Sequence, residues 1–128
     1  MREVSVQWAT GKFAQHIDVG GHRLRADEEA SNGGDNTGPA PHELLLAALG
    51  SCTAMTLKVY AERKGWPLQD VRVTLNGVTG EGGLVITRHI VLDGNLDAEQ
   101  RQRLIEIAEK CPVHKTLAGD IAIKTSER

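Results

Sequence analysis

Cys52 and Cys111 are the only two thiols in this 128-residue chain, and they are the residues best suited to covalent chemistry. A cysteine is nucleophilic as its thiolate, a form favoured by a nearby cation or a helix start and disfavoured by apolar surroundings. Cysteine is also one of the commonest small hydrophobes of protein cores, so a purely structural role is the alternative for each. A reducing compartment does not usually hold such a pair as a structural disulfide. Wide separation in sequence does not keep the two from meeting in the fold.

Cys111 stands before Pro112 in the run Lys110-Cys111-Pro112-Val113-His114-Lys115. If residues 112 to 117 are helical, Cys111 sits at the N-cap or first turn, where free N–H groups and the helix dipole favour a thiolate. Lys110, His114 and Lys115 add positive charge nearby. Cys52 has the opposite setting. Helical spacing puts Leu45, Ala48, Leu49, Met55, Thr56 and Val59 on its side of a helix, so a reactive Cys52 requires a cation from elsewhere. Arg23 and Arg25 on an expected third strand and His42 at the helix start are the candidates. His42 has three readings, an exposed helix-terminal side chain, a residue that tunes Cys52 or a metal ligand, and His114 reads as a surface or interface side chain ahead of a catalytic one. Zinc ligand pairs usually lie two to four residues apart. Only Cys111 and His114 do, so no metal site is expected.

The elements that must position these residues follow from local patterns. Val4, Val6 and Trp8 alternate with polar residues in the period of a half-buried strand. Phe13 to Val19 continues in extended form after a turn at residues 10–12. Gly20-Gly21 signals a two-residue hairpin into a third strand, about His22 to Ala26. Residues 27 to 40 are a loop rich in turn formers, long enough to be functional or mobile. Pro41 to Lys64 is a helix, with proline in its first turn, Glu43 complementing the dipole, and Gly65 and Pro67 as stop signals. It is apolar almost all round, as a buried central helix is. Two strands follow, about Gln69 to Val78 and Leu84 to Asp93. Asp97 and Gln100 form a capping box for an amphipathic helix whose apolar stripe is Leu104, Ile107 and Ala108. A short helical turn covers Val113 to Leu117, and Ile121 to Ile123 make a last strand.

Hydrophobic residues at 40% and charged residues at 25% describe an ordinary globular chain. A net charge of -2 without any Lys/Arg run argues against nucleic-acid binding, which needs concentrated positive charge. No stretch approaches the ~20 apolar residues needed to span a bilayer, the helix Pro41 to Lys64 being too short to cross a membrane comfortably, and the N-terminus lacks a signal-peptide core. The expectation is one cytoplasmic domain, residues 1–128, with no membrane partner.

The stretch Gly38-Pro39-Ala40-Pro41-His42-Glu43-Leu44-Leu45-Leu46-Ala47-Ala48-Leu49-Gly50-Ser51-Cys52-Thr53-Ala54-Met55 resembles the first cysteine helix of the OsmC/Ohr family. The stretch Ala108-Glu109-Lys110-Cys111-Pro112-Val113-His114-Lys115-Thr116-Leu117 resembles its second cysteine motif. The order of elements agrees across nearly the whole chain. The resemblance implies an α+β fold in which antiparallel sheets wrap two central helices of an intertwined homodimer. It also implies a peroxidase: Cys52 reduces an organic hydroperoxide or hydrogen peroxide, Cys111 resolves it as a disulfide, and a dithiol such as dihydrolipoamide or a lipoylated protein resets the pair. No bound cofactor is implied. An arginine and a glutamate flank the reactive thiol in the family. Aligned on the helix-start proline, the glutamate position carries His42, with Glu43 one residue later, and the arginine is Arg25 or Arg23. Cys-Pro at a helix start also suits a sulfur carrier that handles persulfide on Cys111, and the His42 departure leaves room for a non-catalytic stress protein.

Overall fold

The computed structural model describes residues 1–128. Its order is β1 (Val4–Trp8), β2 (Gln15–Val19), β3 (His22–Ala26), a short 3-10 turn (Ala30–Asn32), α1 (Pro41–Lys64), β4 (Leu68–Gly80), β5 (Gly83–Gly94), α2 (Ala98–Ala108) and α3 (Pro112–Ala118). This is an α+β fold with antiparallel sheets. Two compact units divide the chain, Met1–Leu45 and Leu46–Arg128.

The first unit is built on a three-stranded meander, β1-β2-β3, with Val6 opposite Ile17 and Ile17 opposite Leu24. Gly20 and Gly21 turn the second hairpin at φ of 54° and 81°, angles a side-chain-bearing pair would resist and a two-residue primed turn requires. The loop that follows is closed by its own polar groups. Asp27, buried, accepts from the backbone N–H of Glu28 at 2.7 Å, the backbone N–H of Thr37 at 3.0 Å and the Thr37 hydroxyl. These bonds, the Thr37 hydroxyl foremost, lower the Asp27 carboxyl to about 2, because hydrogen bonds to a carboxylate favour its charged form.

The second unit packs most of α1 with a long hairpin and two helices. β4 and β5 pair from Leu68–Gly94 to Gly80–Gly83, with an irregularity between Leu68 and Asp70. The buried side of α1 is Leu49, Gly50, Thr53, Leu57 and Ala61, a stripe spaced mainly by four residues, as one helical face demands. A side chain at Gly50 would come within 2.8 Å of Leu75 Cδ1, so glycine sets how closely α1 lies on β4. Leu57 and Ala61 pack with Leu96, Leu104, Ile107 and Ala108. Helix α2 begins with the full Asp97/Gln100 capping box. Arg101 then donates to the carbonyls of Leu92, Gly94 and Leu96, tying α2 to the end of β5.

Two expectations need correction. Within the single chain the buried face of α1 is a stripe, and Leu45, Met55 and Val59 are exposed, Met55 to 68%. By length and composition α1 is also long and apolar enough to cross a membrane. The helix is therefore not too short for a span, and its glycine, serine and threonine residues dilute its apolar character without adding charge. Finally, residues 121–123 form no strand. Ile-Ala-Ile alternates suitably, but a strand exists only through a paired neighbour, and neither sheet takes this segment as a further strand. Ile123 is left 85% exposed.

Candidate functional site

Cys111 is the N-cap of α3, with Pro112 in the first turn. Its side chain has no exposed surface, and its sulfur accepts the backbone N–H of His114 at 3.3 Å. Proline supplies the preset φ that starts this turn without losing a needed donor. The Thr53 hydroxyl lies 3.9 Å from the same sulfur. Thr53 is itself fully buried on α1 and donates its hydroxyl proton to the Leu49 carbonyl at 2.7 Å.

Arg88 of β5 completes this cluster. Its Nη1 donates to Thr53 Oγ1 at 3.0 Å, and its Nη2 contacts His114 Nδ1 at 2.9 Å. A guanidinium has donors only, so Nδ1 accepts from Arg88. Arg88 makes no ion pair. The half-buried Arg88 guanidinium therefore rests on Thr53 and His114, and both of these residues touch Cys111. Arg88 and His114 also line a cavity of about 410 Å³ whose other walls include Leu49, Ile86 and Leu117.

Sequence reasoning did not single out Arg88 or Thr53, although both leave a signal. On β5 the inward positions run Ile86, Arg88, Ile90, Leu92, and Arg88 is the one charge among them. A cation on the apolar face of a strand is costly unless a partner receives it. Thr53 likewise is the polar member of the stripe Leu49, Thr53, Leu57, Ala61.

Cys52 occupies a different face of α1, partly exposed, with its sulfur 4.0 Å from Thr56 Oγ1. One residue turns a helix by about 100°, so Thr53 and not Cys52 touches Cys111. Ala48, Met55, Thr56 and Val59 gather round Cys52 as helical spacing requires, in a cavity of about 510 Å³. Arg63 and Pro112 share that cavity. Arg63, three turns along the same helix, is a cation the sequence reading did not consider. Both cysteines are free thiols.

The other anticipated residues are engaged within the first unit or at the start of α1. Arg25 donates to Thr37 Oγ1 at 2.9 Å and Thr10 Oγ1 at 3.1 Å. Arg23 pairs with Asp18 on the neighbouring strand at 2.8 Å; the bond lowers the Asp18 carboxyl and raises Arg23. Glu43 accepts from the Ala40 backbone N–H at 2.7 Å and so closes the first turn of α1. His42 is exposed in that turn. None of these hydrogen bonds involves a thiol.

No curated protein sequence matches the chain significantly. Among solved structures, the chain is similar to an OsmC-like protein from Mycoplasma pneumoniae, at 17% identity and a TM-score of 0.81 over 93% of this chain and 88% of that one. It is also similar to an organic hydroperoxide resistance protein of Legionella pneumophila, at 20% identity and 0.71 over 93% and 90%. The organic hydroperoxide resistance protein OhrB of Bacillus subtilis matches at 25% identity and 0.65 over 94% and 92%. The OsmC-like protein family matches residues 33–126, which include both cysteine segments. This chain belongs to the OsmC-like protein family.

Proposed function

We propose that this chain is a cytoplasmic, cysteine-based peroxidase that reduces organic hydroperoxides or hydrogen peroxide in defence against oxidative stress. The observation that supports it best is that Pro112, the neighbour of Cys111 in the chain, lines the apolar cavity that holds Cys52, and that both thiols are free. An apolar cavity suits an alkyl hydroperoxide, whose tail gains from leaving water. The Cys52 thiolate attacks the peroxide, forming a sulfur–oxygen bond and breaking the oxygen–oxygen bond, and the alcohol leaves after taking a proton. Cys111 then attacks the resulting sulfenic acid, forming the disulfide and releasing water. An external dithiol restores both thiols and becomes a disulfide itself.

The same reading assigns the working form as an intertwined homodimer. Leu45, Met55 and Val59 along α1, with Ile121 and Ile123 beyond α3, are apolar and exposed in a single chain, and a second copy would remove them from water. Purified protein given dihydrolipoamide is expected to consume cumene hydroperoxide, and Cys52→Ser to abolish that turnover. Turnover equal to buffer across alkyl, lipid and hydrogen peroxides would overturn the reading.

A further inference from the structure

The geometry points to Arg88 as a positioning residue that keeps the buried Cys111 reactive, acting through Thr53 and His114. The inference deepens the peroxidase reading, since it concerns the thiol which that reading uses to resolve Cys52. Four observations carry it. Arg88 is half-buried and lacks a carboxylate partner, so its charge is not spent on an ion pair. Glu109 lines the rim of the same cavity but is exposed and more than ion-pair distance away. The two bonded partners of Arg88, Thr53 and His114, both contact the Cys111 sulfur, one through its hydroxyl and the other through its backbone N–H. The links of 3.0 and 3.9 Å hold the guanidinium nitrogen within about 7 Å of the sulfur.

Hydrogen-bond accounting shows how the cluster serves two charge states. With Cys111 as a thiol, the Thr53 proton is committed to the Leu49 carbonyl and the Thr53 oxygen accepts from Arg88. That oxygen can then also receive the S–H. With Cys111 as a thiolate, the hydroxyl rotor can turn its proton to sulfur, because the Leu49 carbonyl retains its backbone helical partner. The His114 N–H already points at the sulfur. Arg88 remains bonded to Thr53 throughout and supplies the positive charge.

In the resolving step the Cys111 sulfur forms a bond to the Cys52 sulfur, the sulfur–oxygen bond of the sulfenic acid breaks, and the departing hydroxide takes a proton to leave as water. Thiol–disulfide exchange tests the same nucleophile without any peroxide. In Cys52→Ser protein, hydroxyethyl disulfide should convert Cys111 to a mixed disulfide and release mercaptoethanol, followed by intact-protein mass spectrometry. Adding Arg88→Ala is expected to slow this about tenfold or more, the scale on which loss of an adjacent opposite charge depletes a thiolate. Arg88→Lys should keep part of the rate, and guanidinium ion added to the alanine variant should restore part of it. A purely structural arginine would give neither recovery. Equal rates with and without Arg88, a slowed variant that neither lysine nor guanidinium restores, or no exchange in any variant would each overturn the inference. Normal exchange in Cys52→Ser protein together with absent peroxide turnover in the Cys52-intact chain would sink the peroxidase reading alone.

Discussion

Replacing Thr53 with valine removes one hydroxyl from the centre of the molecule while nearly preserving shape. Three contacts change. The bond to the Leu49 carbonyl costs little to lose, since that carbonyl keeps its helical partner. The contact to Cys111, at 3.9 Å, is long and weak. The bond from Arg88, at 3.0 Å, is charge-assisted and worth about 1.5–3 kcal/mol. The added methyl returns about 0.8 kcal/mol of transfer free energy. The net expectation is a loss of about 1–2 kcal/mol, or about 4–8 °C in Tm for a chain of this size, at fixed protein concentration. The cost should depend on Arg88. In an Arg88→Met background the valine substitution should cost less than about 0.5 kcal/mol, because no cation is left without an acceptor, and a double-mutant cycle reads that coupling directly. Thr53→Ser should retain the coupling. Equal costs for Thr53→Val in both backgrounds would refute the view that Arg88 rests energetically on this hydroxyl.

Asp27 gives a pH prediction. Its carboxyl is lowered from 3.8 to about 2, so its contribution to stability is present above the unfolded value and is lost as pH falls through the folded one. Thermal unfolding between about pH 4 and pH 2 should therefore fall less steeply for Asp27→Asn than for the unaltered chain. An unchanged acid limb would contradict the closed-loop account. Leu104 has no exposed surface and packs with Leu57 and Ile107; Leu104→Ala should cost about 2–5 kcal/mol in denaturant unfolding, and a cost below 1 kcal/mol would show that the core is organised otherwise.

What the sequence made legible is governed by local chemistry. Pro41 and Gly65 bound α1 as expected, with Gly65 at φ 69°. The Asp97/Gln100 box opens α2, and Cys111 caps α3, because each signal acts within four residues. The site was less legible because its contacts cross the chain. Arg88 and Thr53 are 35 positions apart, and Thr53 and Cys111 are 58. The order of the cysteine motifs brought α1 and α3 to attention but not the strand between them. The arginines that were considered, Arg23 and Arg25, satisfy strand and loop partners in the first unit. The unformed strand at residues 121–123 has the same origin. Alternation states that a segment is able to pair, and only the fold supplies an edge to pair with.

The buried stripe of α1 also sets a timetable for synthesis. Leu57 and Ala61 are covered by Leu104, Ile107 and Ala108, which are made about 50 residues later. At about 5–20 residues per second, roughly 3–10 s separate the appearance of this apolar helix from that of its cover. During that interval the nascent chain carries a 24-residue helix with the composition of a membrane span and no packing partner from α2. Slower elongation over residues 65–108 lengthens that exposure.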